Sequence, residues 1–396
     1  MDHPPSKSKG WLIPAFFIMI VGVALTETLF RAVVFPGWKS VSQATFVHHP
    51  IYGTFQKPNL VARRLNPPNY DVINRTNSLG FRDREDGFEE DLSGIWAAGA
   101  SNSYGGFVED NEAFAARLQN LGYKVANFSS EGHNLSSQVK VVRHMIAQGY
   151  RPRAIIFEMT LNNVLGNYAD AISELEEPFQ NDQGTSLLEQ NDTASAQLKN
   201  KTDKLLEAIK ISKIGIKGRL INNSAIYCWL KVGINAIPML RDWTLKMGLR
   251  EDVALKDSAP PALLRNQSET ANDYLIDSTV NFAVALRGWI DNKLGIPFAI
   301  VLIPSPHHLD EQRFAKYVKY LGFTEGELDA KRPYNILLKG LIENDVPVLD
   351  MAPALQASDN ILSFPDDGHM NAIAHGIVAR EIAAWLPRKL GLDPDL

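Results

Sequence analysis

The chain contains a single cysteine, Cys228, in 396 residues. That excludes an internal disulfide and any multi-cysteine metal cluster, although it leaves the compartment open. There is no excess of positive charge. Lys and Arg number 40 against 45 Asp and Glu, for a formal net charge of −5, so the chain has no general attraction to nucleic acid, whose binding rests on neutralising phosphates. A Gly-rich phosphate loop ending in Gly-Lys-Ser/Thr is missing, as are His-Glu-x-x-His and a dinucleotide fingerprint. The elbow Gly-x-Ser-x-Gly is absent too, because Gly99-Ala-Ser101-Asn-Ser103 ends in serine. Internal repeats and low-complexity tracts are lacking. With 45% hydrophobic and 21% charged residues, the composition excludes a wholly disordered chain and a multi-span membrane protein.

The first positive feature is the apolar run from Trp11 to Leu25, which continues through Glu27 and Arg31 to Phe35. A bilayer needs about 20 apolar residues at 1.5 Å each, so the run suffices once its polar end enters the headgroup region. Glu27 and Arg31 lie one helical turn apart and form a pair in the favoured orientation. Trp11 and Trp38 suit interfacial positions. Lys7 and Lys9 before the span favour a cytoplasmic N-terminus, while Arg31 and Lys39 after it weaken that bias. The segment reads as a retained signal anchor. Cleavage after the small residues around Ala24, and burial as a core helix, are the competing readings. The expectation is a single-pass protein of the inner (cytoplasmic) membrane, contacting the bilayer through residues 11–35, with the rest on the periplasmic or extracytoplasmic side.

Beyond residues 1–35, the tail and anchor, the pattern divides the chain into four further parts. Residues 36–90 are rich in Pro, Asn and Arg and read as an extended lead-in. Residues 91–165 carry strand-like runs at Ser93–Ala98, Tyr123–Phe128 and Arg153–Met159, alternating with helical patterns near Asn111–Leu121 and Ser136–Gln148. Residues 166–292 lose the strand pattern and read as a helical insertion, with helices at Thr202–Ile221 and from Asn272 to Lys293. In residues 293–396 strands return at Ile296–Ile303 and Val346–Asp350, followed by a closing helix Ala372–Leu386. Strands alternating with helices predict an α/β fold with a parallel sheet covered on both faces.

Two places carry residues suited to catalysis. Ser101 sits on a small-polar turn after the first of these strands, where parallel sheets bind ligands, outside the carboxyl ends of their strands. Near the other end stands Phe364-Pro-Asp366-Asp-Gly-His369-Met-Asn371. A serine hydroxyl is a poor nucleophile without a base. An imidazole oriented by a carboxylate supplies one. Asp366 and Asp367 both precede His369, and the three-residue spacing favours Asp366. The pair His307-His308 with Asp310 has no evident third ligand, and adjacent side chains diverge, so no metal site is expected.

Gly99-Ala-Ser101-Asn-Ser-Tyr-Gly105 with the following Phe-Val-Glu-Asp-Asn-Glu-Ala-Phe114 resembles the first block of the SGNH (GDSL-like) hydrolases. Asn127-Phe-Ser-Ser-Glu-Gly132-His-Asn resembles their second block, Thr160-Leu-Asn162-Asn163 the third, and Asp366-Asp-Gly-His369 the last. Upstream, Arg75-Thr-Asn77-Ser-Leu-Gly80-Phe-Arg82 is similar to a segment that precedes the core in membrane-anchored bacterial members.

The resemblance implies a flavodoxin-like three-layer α/β/α sandwich and a Ser-His-Asp hydrolase. Ser101 would be the nucleophile, His369 the general base and acid, and Asp366 its orienting carboxylate. The oxyanion hole would comprise the backbone N–H groups of Ser101 and Gly132 and the side-chain amide of Asn162. Asn102, His133, Asn163 and His307 are candidates for lining the cleft. No cofactor or metal is implied. The implied activity is that of an extracytoplasmic serine esterase or acyltransferase acting on an acylated carbohydrate, foremost an acetylated polysaccharide, or on another ester. The sequence departs from the family pattern at three places: Ala100 replaces the Asp before the serine, Thr160 a Gly, and Asn163 an Asp. Those departures fit an alternative, a catalytically inactive SGNH-fold accessory subunit whose partner is a membrane protein complex.

Overall fold

A computed structural model describes residues 12–42, 45–165, 175, 223–247, 249, 261–266 and 273–394. Nine strands are present among these residues: β1 Phe46–His49, β2 Gly53–Gln56, β3 Val61–Asn66, β4 Tyr70–Arg75, β5 Ile95–Ala98, β6 Val125–Asn127, β7 Ala154–Met159, β8 Phe298–Leu302 and β9 Val348–Asp350. The last five form a parallel sheet in the order β6-β5-β7-β8-β9. Chain order reverses between β5 and β7, so the crevice at the carboxyl ends of these strands is the expected ligand position.

Strand residues divide between two cores with a period of two. Trp96, Ala98, Ile155, Phe157, Ile300 and Leu302 enter one, whereas Ile95, Ala97, Ala154, Ile156 and Val301 enter the other. Burial on both faces explains why these strands read as continuous apolar runs rather than alternating ones. Helices Leu135–Ala147, Asp273–Arg287 and Arg332–Glu343 fill the first core. Helices Phe114–Asn120 and Ala372–Leu390 fill the second. The closing helix runs past its expected end and through Pro387. Proline has no N–H, which frees the carbonyl of Ala383 one turn earlier. The hydroxyl of Tyr123 donates to that oxygen at 3.1 Å, so the helix continues without an orphaned acceptor.

The segment expected as an extended lead-in holds two antiparallel hairpins, β1–β2 and β3–β4. Both were hidden from pattern reading because their exposed, half-buried and buried residues do not alternate cleanly. The helix expected over 202–221 lies outside the described residues, as do Lys7, Lys9 and Trp11. Described parts of the insertion are helical, at Ala225–Ala236, Pro238–Lys246 and Asp273–Arg287.

Helix Leu12–Leu29 continues as the π-helical turn Phe30–Val34. The stretch Pro14–Val34 has 21 residues and a mean hydropathy of 1.9, and it is long and apolar enough to cross a membrane, with none of it buried against the protein. That exposure removes the core-helix reading. Glu27 and Arg31 pair at 2.8 Å as expected, but Glu27 also does more. Its carboxylate accepts the Ser224 hydroxyl at 2.9 Å and the backbone N–H groups of Ala225 and Ile226 at 2.6 and 3.3 Å. It thereby caps the helix Ala225–Ala236, where a negative charge meets the positive end of the helix dipole. Trp38, expected at an interface, is instead buried, with the Arg31 guanidinium 4.8 Å from its ring centroid.

Candidate active site

β5 ends at Ala98 and the chain turns at once into the short helix Ser101–Tyr104. Gly99 is required by crowding, since a Cβ there would lie 2.3 Å from Ser103 and 2.7 Å from Glu158. The Asp that the resemblance places before Ser101 is Ala100, yet the turn is firmly held. Glu158, on β7 and 1% exposed, accepts the N–H of Ala100 at 2.9 Å and of Ser103 at 2.8 Å. Burial pushes the Glu158 carboxyl up, and the bonds from Ser103, Ala100 and Asn102 oppose that rise. Sequence reasoning passed over this residue. The available signal was a lone acid inside an apolar strand, which is tolerated only where partners satisfy it.

A second support comes from the upstream segment. Arg82 is buried and donates to the carbonyls of Tyr104, Gly105 and Val108, and it pairs with Asp110 at 3.0 Å. Asn77 accepts the N–H groups of Leu79 and Phe81 at 3.1 and 2.9 Å. Gly80 between them has φ of +88°, and a Cβ there would lie 2.8 Å from the Gln56 carbonyl, so only glycine fits.

From the opposite end of the sequence comes the loop closed by the Ser363–Met370 bridge. It brings His369 Nε2 to 2.9 Å from Ser101 Oγ. Phe107 stacks on the imidazole with centroids 3.8 Å apart, and Asn102 Oδ1 accepts the Met370 N–H at 3.2 Å. The loop and the serine turn are therefore tied together beside the Ser101–His369 contact.

The carboxylate on the imidazole is that of Asp367, not of Asp366. Asp367 Oδ1 bonds His369 Nδ1 and also accepts the His369 backbone N–H at 3.0 Å, while Tyr70 donates to Oδ2 at 3.4 Å. Burial alone would raise this carboxyl; the bonds and charge of His369, with the Tyr70 hydroxyl, outweigh it and hold it below the usual carboxylate range. Asp366 points elsewhere. It pairs with Arg241 at 2.8 Å, and its N–H donates to Asn69 at 3.1 Å. The i−3 spacing belongs to a helix, whereas residues 365–369 form turns and bends. In that geometry the residue two before the imidazole folds back on it.

Beside Ser101 lies a cavity of about 230 Å³. It is lined by loops at the carboxyl ends of β5, β6, β7 and β8 and by the His369 loop. Ile303, Pro304, Leu309, Leu355 and Leu362 make an apolar wall. Gly132, with φ of +79°, lines the cavity, as do Asn102, His133 and Asn162. Asn163 follows in the 3-10 turn Leu161–Leu165, and its side chain lies outside the described residues. His307 is not in the cleft. It is buried against Tyr317, with ring centroids 4.8 Å apart. The Pro306–Leu309 turn explains the difference, presenting Pro306 and Leu309 to the cavity and packing His307 inward. Among the described residues no group of three or more His, Cys, Asp or Glu side chains could hold a metal ion.

Two predictions arise from these environments. Glu158→Ala strands two backbone donors that are otherwise bonded, at about 1–3 kcal/mol each, and loosens the turn carrying Ser101. A nucleophile displaced by about 1 Å loses roughly 10²-fold in rate. The expected result is a lower melting temperature together with slower reaction of Ser101 with a fluorophosphonate probe, both largely restored in Glu158→Gln, whose amide oxygen can accept the same N–H groups.

The second concerns pH. His49, His133 and His307 are pushed down to about 4 and His375 to about 3, in each case chiefly by burial. His375 Nδ1 also accepts the Phe114 N–H at 3.2 Å, which requires the unprotonated ring. Unfolded histidine protonates near 6.5, so on acidification the unfolded state binds protons first and stability falls. Half-buried Asp83, pushed up to about 6 by desolvation, works in the opposite sense, as do Glu158 and Asp91, whose carboxyls are also pushed up by burial. His308, pushed down by burial, adds a fifth histidine on the other side. The melting temperature should drop between about pH 7 and pH 5, and it should drop less in His307→Phe, which removes one of these groups while keeping an aromatic ring there.

No family model and no curated protein matches the chain. Among solved structures, one crystal structure superimposes with a TM-score of 0.32 at 12% identity, over 76% of this chain and 98% of its own. A likeness that weak bears on neither fold nor function.

Proposed function

We propose that the chain is a membrane-anchored serine esterase or acyltransferase of the SGNH type, with the three-layer α/β/α sandwich of that family. The single observation that carries the proposal is the chain of contacts from Ser101 Oγ to His369 Nε2 and from His369 Nδ1 to Asp367. Such a relay is suited to activating a hydroxyl that is otherwise too weakly nucleophilic. Ser101 Oγ attacks the ester carbonyl as His369 takes its proton. The intermediate collapses, the C–O bond to the alcohol breaks, and His369 returns the proton to the departing alkoxide. Water or a second hydroxyl then attacks the acyl-serine, again losing its proton to His369, and releases acid or new ester with Ser101 restored. The N–H groups of Ser101 and Gly132 and the Asn162 amide are the proposed donors to the oxyanion, each worth about 3 kcal/mol of barrier in comparable sites.

The cavity of about 230 Å³ and its apolar wall support a short acyl group such as acetyl. An acylated carbohydrate is the proposed carrier. The parallel order with its switch point at β5 and β7 supports the family fold, and the apolar helix Pro14–Val34 supports single-pass anchoring in the inner membrane with the site outside the cytoplasm. The departures at Ala100, Thr160 and Asn163 favour an inactive accessory subunit less strongly once Glu158 is seen to hold the turn. A fluorophosphonate probe applied to the full chain tests the choice. Labelling that vanishes in Ser101→Ala is expected. No labelling of the wild type would return the protein to the role of a binding subunit in a membrane complex.

A further inference from the structure

Helices Ala225–Ala236 and Pro238–Lys246 carry large apolar side chains on the outside of the fold. Trp229, Leu230, Met239, Trp243 and Met247 are between 42% and 75% exposed. Two lysines, Lys231 and Lys246, are exposed among them. Scattered exposed apolar residues need no explanation, but a run of them on adjacent helices does. Their position supplies one. The first helix begins where the apolar span ends: Glu27 caps its N-terminus through Ala225, and Phe30 meets Trp229 edge-on with centroids 5.4 Å apart. These contacts, with the Arg31 guanidinium donating to the Asn223 carbonyl at 2.5 Å, place the start of the helix beside the last turns of Pro14–Val34.

We infer that these two helices form a foot that rests in the surface of the same bilayer that the N-terminal helix enters. The occupant is phospholipid, because the exposed patch is continuous with a span whose only fitting solvent is hydrocarbon. Tryptophan, leucine and methionine mixed with lysine is also the composition of segments that lie in the headgroup region. The foot reaches the site. Arg241, on its second helix, pairs with Asp366, next to the carboxylate that holds His369. The inference rests on the reading of Pro14–Val34 as a bilayer span and is independent of the chemistry at Ser101.

The test uses the full chain in vesicles of phosphatidylcholine and phosphatidylglycerol, with nitroxide labels on single cysteines at Leu230, Met239 and Trp243. Val23 serves as the position inside the span and Tyr320 as the exposed position away from it. Wild type, whose only cysteine is buried, gives the background. Collision with membrane-dissolved oxygen relative to a water-soluble nickel chelate is expected to be several-fold higher at the three foot positions than at Tyr320, and higher still at Val23. If Val23 reads as buried in lipid while the foot positions read like Tyr320, the foot is overturned and the anchor stands. If Val23 also reads like Tyr320, both fall. Spin–spin broadening between foot labels of different molecules would instead make the patch a contact between copies and overturn the lipid assignment. Ser101→Ala should leave every reading unchanged, which separates this inference from the proposed catalysis.

Discussion

Ser101→Ala is expected to lower kcat toward short-chain esters by about 10⁴–10⁶-fold, with the change in unfolding free energy within about 1 kcal/mol. The two parts of this expectation have different causes. On the proposed mechanism, removing the hydroxyl removes the atom that would bond to the acyl group, leaving only turnover supported by binding and the proposed oxyanion donors. Folding scarcely notices, because Ser101 is half-buried in an open cleft and its hydroxyl makes one bond, to His369. His369→Ala should lose a comparable factor, and the double variant little more than either alone, since the two act as one unit. Hydrolysis of a p-nitrophenyl acetate by the membrane-inserted full chain, with circular dichroism melts of each variant, measures both quantities. Equal rates for wild type and Ser101→Ala would end the esterase proposal.

How far the sequence reveals this arrangement depends on the kind of physics involved. β5, β7 and β8 are legible because strands buried on both faces must be apolar throughout. Their ends are marked by the small-polar turn after Ala98, by Thr160-Leu-Asn162 and by Ile303-Pro304. The closing helix is legible from Ile377, Val378 and Ile382, which recur at helical spacing and enter one core. Ser101 and His369 are findable because their local patterns survive, although their contact spans 268 positions of sequence. What stays hidden depends on placement rather than composition. Nothing in the neighbourhood of Glu27 signals that it will cap a helix near position 225. The support that Glu158 gives the serine turn is invisible because the N–H groups it accepts, of Ala100 and Ser103, lie 58 and 55 positions away in sequence. His307 reads as a cleft residue from its place after β8, and only the sense of the following turn decides that it faces Tyr317.

The choice between the two aspartates has the sharpest experimental consequence. Asp367→Asn is expected to reduce kcat by about 10⁴-fold, and Asp366→Asn by about tenfold at most. An asparagine at 367 can place its amide N–H against His369 Nδ1. That nitrogen must then accept, so the ring proton moves to Nε2, where it faces Ser101 Oγ and blocks proton removal. The imidazolium formed in the reaction also loses its compensating charge. Asp366 has neither role. Its replacement weakens a half-buried pair with Arg241 that does not touch His369, and the asparagine amide oxygen can still accept from the guanidinium. The readout is the rate of fluorophosphonate labelling together with ester turnover, since tautomer loss slows both while a merely loosened loop spares the fold of the serine turn. Tyr70→Phe adds a graded control, removing one bond to Asp367 at 3.4 Å and leaving the carboxylate in place. A deep loss in Asp366→Asn with Asp367→Asn near wild type would mean that the loop rearranges before reaction and that the observed contact is not the working one.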